Sequence, residues 1–189
     1  MARVEKSIEV NVPVHTAYNQ WTQFESFPNF MEGVQEVRQI DDRHIHWKAK
    51  VGFKAEEWDA EIREQVPDEK IIWQNTSGAE NAGMVRFVEL APDKTRVHLE
   101  MSYDPEGFLE TIGDKLGFMT RRVEGDLKRF KDFIESRGGE TGGWRGSLEN
   151  PSAPGGHTRG SLDAGEGPGS SPGNVDDGTR HERDVDRPF

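Results

Sequence analysis

The stretch PEGFLETIGDKLGFMTRRVEGDLKRFKDFIESR (Pro105–Arg137) decides the fold. Leu109, Ile112, Leu116, Met119, Val123, Leu127, Phe130 and Ile134 recur at steps of three and four, which keeps one side of an α-helix apolar. Phe108 and Phe133 widen that stripe. Pro105 stands where a helix can begin, because its missing N–H needs no partner there, and Gly138-Gly139 stand where one should end. Unbroken, such a helix would be roughly 45–50 Å long. Something broad must cover that much apolar surface. Gly113 and Gly117 weaken the first half. A bend or a close backbone approach is the plain expectation for them, and a hinge beside a cavity the sharper one.

The cover lies upstream. RVEKSIEVNV (3–12) reads as a first strand, Pro13 opens a short helical stretch over VHTAYNQW, and QFESFPNFMEGV gathers Phe24, Phe27, Phe30 and Met31 into a second short helix or turn. From Val34 to Tyr103 short strands follow one another between turn signals such as Asp41-Asp42, Pro67-Asp68-Glu69 and Ala91-Pro92-Asp93. In RHIHWKAKV, Ile45, Trp47, Ala49 and Val51 share one face and His44, His46, Lys48 and Lys50 the other. Trp58, Ala60 and Ile62 oppose Asp59, Glu61 and Arg63 in the same way; Ile71 goes with Trp73, Val85 with Phe87, and Val97, Leu99, Met101 and Tyr103 stand together. Half-buried alternation over hairpin-linked strands means an antiparallel sheet. A curved sheet wrapped around one long amphipathic C-terminal helix, with two short helices after the first strand, is an α+β domain.

Composition limits the rest. Hydrophobic residues make up 32% of the 189, low for a chain that folds throughout. Thirteen of the 21 glycines fall between Gly138 and Gly178, lysine is absent beyond Lys131, and the expected organisation is a domain over 1–137, an extension over 138–149 and a disordered Gly/Pro/Asp-rich tail over 150–189. Within the extension, ETGGWRG (Glu140–Gly146) carries Trp144 and Arg145, unusual contents for a spacer. The balance of 24 Lys+Arg against 35 Asp+Glu leaves a formal charge of −11, which repels nucleic acid and anionic membranes. With no cysteine there is no disulfide, thiolate nucleophile or thiolate metal site. MARVEKSIEV lacks the apolar core of a signal peptide and no run approaches membrane-spanning length, so a cytoplasmic location is expected.

Specific stretches carry a family resemblance: QWTQFESFPNFMEGVQEV (20–37), EWDAEIREQVPDEKIIWQNTSG (57–78), NAGMVRFVEL (81–90), TRVHLEMSYDPEG (95–107) and GDLKRFKDFIESRGGETGGWRG (125–146). Over roughly residues 1–146 the chain resembles the START-like, or helix-grip, superfamily, and within it the bacterial polyketide cyclase/dehydrase-like (SRPBCC) group. That resemblance implies a ligand cavity between the concave sheet face and the long helix. It does not fix the chemistry, because the superfamily holds cyclases, aromatases, lipid carriers, quinone-binding proteins and co-chaperones.

The cavity lining expected on this frame is Trp47, Trp58, Trp73, Phe87, Met101 and Tyr103 from the strands, facing Leu116 and Met119 of the helix. Ordinary core packing would explain any one of them. A cyclase would need groups to move a proton and hold an enolate. His44, His46, His98, Glu57, Asp59, Glu61, Arg63, Arg86, Arg96 and Glu100 have the chemistry, but their phase puts them in solvent. Only Tyr103, as a proton donor, and marginally Glu64 fall on the inward phase. His44-x-His46 lacks a third metal ligand, so neither metal nor cofactor is called for. Arg121, Arg122, Lys128, Arg129 and Lys131 alternate with Glu124, Asp126 and Asp132, as on a solvated helix face. Three readings stay open: binding of a small hydrophobic or aromatic ligand (polyketide, quinone or lipid-like), polyketide cyclase/dehydratase activity, and a protein-interaction or stress-related role for the extension.

Overall fold

The computed structural model describes residues 1–109 and 112–150, the side chain of Phe108 excepted. The tail expected from residue 150 onward otherwise lies outside the described residues. The first strand, β1 (Ala2–Val10), leads into α1 (Val14–Trp21) and a 3₁₀ helix (Phe24–Asn29). Six strands follow: β2 (Val34–Gln39), β3 (His44–Val51), β4 (Lys54–Val66), β5 (Lys70–Asn75), β6 (Asn81–Ala91) and β7 (Lys94–Tyr103). They form an antiparallel meander, and β1 joins its far edge beside β7, giving the order β1-β7-β6-β5-β4-β3-β2. Irregularities at Val34/Glu36, Ile62/Glu64 and Glu89/Ala91 add local bends of the kind that help a sheet curl. The long C-terminal helix packs its buried side into the same core as the inward strand residues. This is the α+β helix-grip architecture.

The helix itself departs from the expected unbroken span. A single turn, α2 (Pro105–Phe108), is separated from α3 (Lys115–Arg137). Two aspartates supply the reason. Asp104 accepts hydrogen bonds from the N–H groups of Glu106 (3.0 Å) and Gly107 (3.2 Å), and Asp114 accepts one from Gly117 N–H (3.0 Å). Each carboxylate satisfies donors that a helix start leaves free, so the chain begins a helix twice. Beyond the break the stripe holds: Met119, Val123, Leu127, Phe130 and Ile134 are buried. Leu116 has the right phase but is 55% exposed, in the first turn after the break. Gly138 closes α3 in the left-handed conformation, φ 75°.

Strand alternation holds across the sheet, with one shift. The irregularity between Ile62 and Glu64 turns Gln65 inward, where its Nε2 donates to Tyr18 Oη (3.0 Å), and leaves Glu64 paired with Lys70 (2.7 Å). Glu64 is therefore not an inward acid.

The extension beyond α3 is docked on the domain. Gln20 Nε2 donates to Thr141 Oγ1 (3.1 Å) and Gln20 Oε1 accepts from Thr141 N–H (2.8 Å). Trp144 N–H donates to Thr22 Oγ1 (2.9 Å). Arg145 grips both oxygens of Asp68 (2.9 and 2.6 Å), donates to Asn19 Oδ1 (2.8 Å) and stands over the Tyr18 ring. Leu148 exchanges two backbone hydrogen bonds with Gln65 (2.8 and 2.9 Å). No helix among the described residues is long and apolar enough to cross a membrane.

Candidate functional site

Between the concave face and α3 the side chains leave a cavity. Its volume is about 150 Å³, roughly ten times what one water needs. The strand wall is aromatic. Trp47 and Trp58 are direct cross-strand partners, and their indoles stack with centroids 5.8 Å apart and planes 8° from parallel. Trp73 pairs across the sheet with Gly83, whose missing side chain leaves room for the indole to lie over β6. Its Nε1 donates to Asn81 Oδ1 (3.1 Å), and Asn81 Nδ2 donates to Met101 Sδ (3.3 Å). Asn81 is thus a buried polar group on an otherwise apolar wall, already tied to two of its neighbours.

The opposite wall comes from Met119, Arg122, Val123, Asp126 and Leu127 of α3. Among the described lining residues, Arg122 and Asp126 are the ionisable ones. Asp126 accepts from Glu32 N–H (2.8 Å) and from Arg129 Nη2 (2.5 Å). Burial nevertheless outweighs these bonds and raises its carboxyl above the ordinary aspartate range. Arg122 donates from Nη1 to Lys50 O (3.4 Å) and from Nη2 to Glu32 O. Burial lowers its pKa, but an arginine starts so high that it stays charged at neutral pH.

Of the residues expected to line a cavity, Trp47, Trp58, Trp73, Met101 and Met119 do face this one. Phe87, Tyr103 and Leu116 do not. Phe87 packs edge-on against Tyr18 (5.5 Å) and Trp21 (6.2 Å), and Leu116 points to solvent. Tyr103, at the end of β7, is fully buried off the cavity wall, and its hydroxyl has no partner among the described residues. Burial raises its pKa.

Asn81, Arg122 and Asp126 were not among the expected lining residues. Asn81 reads as part of a turn. Arg122 and Asp126 stand three residues from Met119 and four from Arg122 respectively, which are helix-face steps, so the stripe is wider than its apolar members.

The charged strand residues expected on the outer face are there, whereas Arg122 and Asp126, expected on a solvated helix face, line the cavity instead. His46 meets Asp59 (2.8 Å) and Lys48 meets Glu57 (3.0 Å) on the outer face. On that face Glu5, His98 and Glu100 also bring donor atoms within 4.8 Å of one another, but Arg3 pairs with Glu100 (2.5 Å) and Ser7 bonds His98 (2.7 Å). Hydrogen bonds and ion pairs account for that group.

Residues 10–132 match a family model described as polyketide cyclase / dehydrase and lipid transport. Over 149 residues, 78% of this chain and 99% of the relative, the sequence is 56% identical to an uncharacterized 17.2 kDa protein of Streptomyces lincolnensis. Among solved structures, a START superfamily protein from Mycobacterium smegmatis aligns with a TM-score of 0.63 at 13% identity, over 71% of this chain and 98% of its own. The Zhui aromatase/cyclase from Streptomyces sp. R1128 aligns at 0.60 and 12%, over 76% of this chain and 99% of its own. At such identities the structural likeness is one of fold. The sequence match spans well over half of the chain, and on that ground the protein belongs to the polyketide cyclase/dehydrase and lipid transport family.

Proposed function

We propose that the protein binds a small, flat or oily molecule (polyketide, quinone or lipid-like) in this cavity, acting in the cytoplasm. The observation that carries the reading is the strand wall: tryptophans and aliphatics around an unfilled space, with no ionisable side chain among its described residues. Trp47, Trp58, Trp73, Met101 and Met119 are its contact surface. The test is native mass spectrometry of freshly purified protein, with calorimetric titration of 2-naphthylmethanol. Ala60, which is buried and faces the cavity, is the place to block it. Saturable one-to-one binding that Ala60→Leu removes without unfolding the protein is the expected result. Absence of binding by wild type, with no co-purified organic molecule, would sink the reading.

Cyclase or dehydratase chemistry on a polyketide-like substrate is the second reading. One observation favours it: Asp126 presents to the cavity a carboxyl that burial keeps protonated to higher pH than usual, as a proton donor requires. Tyr103 is off the wall and is a weaker candidate for that role. Turnover that survives Asp126→Asn would remove the assignment. A protein partner for the extension has less support, since Thr141, Trp144, Arg145 and Leu148 already bond within the chain.

A further inference from the structure

We propose that the ligand carries a single negative charge and that Arg122 receives it: an aromatic or aliphatic body lies against the stacked Trp47 and Trp58, and a carboxylate or phenolate end meets the guanidinium on the α3 wall. The inference rests on the binding reading above and deepens it.

Arg122 faces the cavity without a carboxylate of its own. Among the described residues no carboxylate oxygen lies within 4.0 Å of its side-chain nitrogens. The neighbouring acids are engaged elsewhere: Asp126 is paired with Arg129 at 2.5 Å, and Glu32 reaches Arg129 at 3.5 Å. Several other cations of the described residues do have a carboxylate, although Arg43, like Arg122, bonds backbone carbonyls instead. Lys48 has Glu57 (3.0 Å), Lys131 has Glu135 (2.9 Å) and Arg145 has Asp68 (2.6 Å). Among the described residues the hydrogen bonds of Arg122 go to two backbone carbonyls, those of Glu32 and Lys50, and its guanidinium stands 5.9 Å from the centre of the Phe118 ring. Two anchors on two different nitrogens fix the plane of the guanidinium. They use two of its five N–H donors and leave three.

A half-buried cation with spare donors, beside apolar walls, is where an anionic oxygen gains most. The low dielectric strengthens the attraction, and a planar guanidinium suits a planar carboxylate. The formal charge of −11 makes the chain as a whole repel anions, so capture of one needs a local cation. Asp126 on the same wall opposes an incoming anion. Its hydrogen bonds go to Arg129 and the Glu32 N–H, its attraction for Arg122 acts without a direct ion pair, and burial already disfavours its ionised form.

The test compares two probes of one shape, 2-naphthoate and 2-naphthylmethanol, by calorimetric titration of the full chain at neutral pH. Wild type is expected to bind 2-naphthoate at least about tenfold more tightly. Arg122→Gln should remove that advantage by weakening 2-naphthoate at least about fivefold more than 2-naphthylmethanol, with urea unfolding reporting that the variant is folded. Arg122→Lys should keep part of it. In wild type, raising NaCl to about 0.5 M should weaken 2-naphthoate alone. Equal affinities for the two probes, a 2-naphthoate affinity insensitive to salt, or equal weakening of both by Arg122→Gln would overturn the anion assignment and leave the apolar cavity standing. If wild type bound neither probe, the binding reading would fall and this one with it. Asp126→Asn supplies an independent check, because loss of the opposing carboxylate should tighten 2-naphthoate and not 2-naphthylmethanol. No tightening would count against Arg122 as the receptor of charge.

Discussion

The two ends of α3 are both ringed by aromatic side chains, yet one end is solid and the other hollow. Around Phe130 the rings interlock: Trp21, which also borders the cavity, lies 4.9 Å and Phe30 5.2 Å from it, both edge-on, and all three are 5% exposed or less. Around Met119 the tryptophans stand face to face along the sheet and remain half-buried. The residue types are alike; the geometry is not. Edge-on rings from four elements fill each other's gaps, whereas parallel indoles on neighbouring strands present a flat face that needs an occupant. Met119, Val123 and Leu127 of the helix face that surface without reaching far enough to fill the space.

The sharpest way to break this comparison is to truncate one ring at each end. Phe130→Ala should cost about 3–5 kcal/mol, the range for deleting a fully buried phenylalanine that cannot be replaced by collapse. Trp58→Ala should cost less, about 2 kcal/mol, since that side chain is only partly buried and its truncation opens onto space that is already empty, but should weaken 2-naphthylmethanol about tenfold. Urea unfolding and calorimetry measure the two effects. Equal stability losses at both sites would mean that the open end is packed like the closed one.

A smaller effect separates two buried tyrosines of the solid part. Tyr18 Oη accepts the hydrogen bond from Gln65 Nε2 (3.0 Å), so Tyr18→Phe strands a buried donor and should cost about 1–3 kcal/mol. Tyr103 Oη bonds nothing among the described residues, so Tyr103→Phe should stay within about 0.5 kcal/mol of wild type or stabilise. A large loss at Tyr103 would reveal a partner for its hydroxyl. The docked extension bears on the same region: Arg145→Ala removes a bidentate but largely solvent-facing pair with Asp68 and should cost about 1 kcal/mol, with ligand affinity unchanged.

The solid end was more legible in the sequence than the hollow one, for a physical reason. Periodicity reports which face is buried, and it placed Met119, Val123, Leu127, Phe130 and Ile134 correctly, as it did Trp47, Trp58 and Trp73. It cannot report whether the buried space is full. Phe87 and Tyr103 share the inward phase with the tryptophans, but other rings or the end of the sheet cover them. The hydrophobic pattern also hides polar residues that a cavity tolerates. Arg122 and Asp126 stand next in sequence to Val123 and Leu127, so they border the apolar stripe, yet their charges invite a solvent assignment. Two local signals were weaker still. Asp114 interrupts the apolar run as a cap, and a bulge near Ile62 exchanges Glu64 for Gln65; both depend on hydrogen bonds that residue spacing does not show.

The mildest expected effect tests how dry the α3 wall is. Asp126 keeps its proton to higher pH in the folded chain than its ordinary value of 3.8, because burial outweighs Arg129, Arg122 and the Glu32 N–H. Between those two values the folded state binds more protons than the unfolded one, so this group's contribution to stability falls as pH rises through the window above 3.8. Glu57 and Asp59 on the outer face act in the opposite sense. The hydrogen bond from Lys48 and that from His46, respectively, are the chief causes that lower their pKa values, so what they add to stability is lost as pH falls below the ordinary range. Asp126→Asn keeps an acceptor at the same place and removes only the first trend. Urea midpoints from mildly acidic to neutral pH should therefore shift in favour of the variant as pH rises. A difference that stays flat would mean that Asp126 ionises as an exposed carboxyl does. Water would then reach the helix wall, and the contrast between a sealed end and a dry, ligand-ready one would have to be redrawn as sealed against wet.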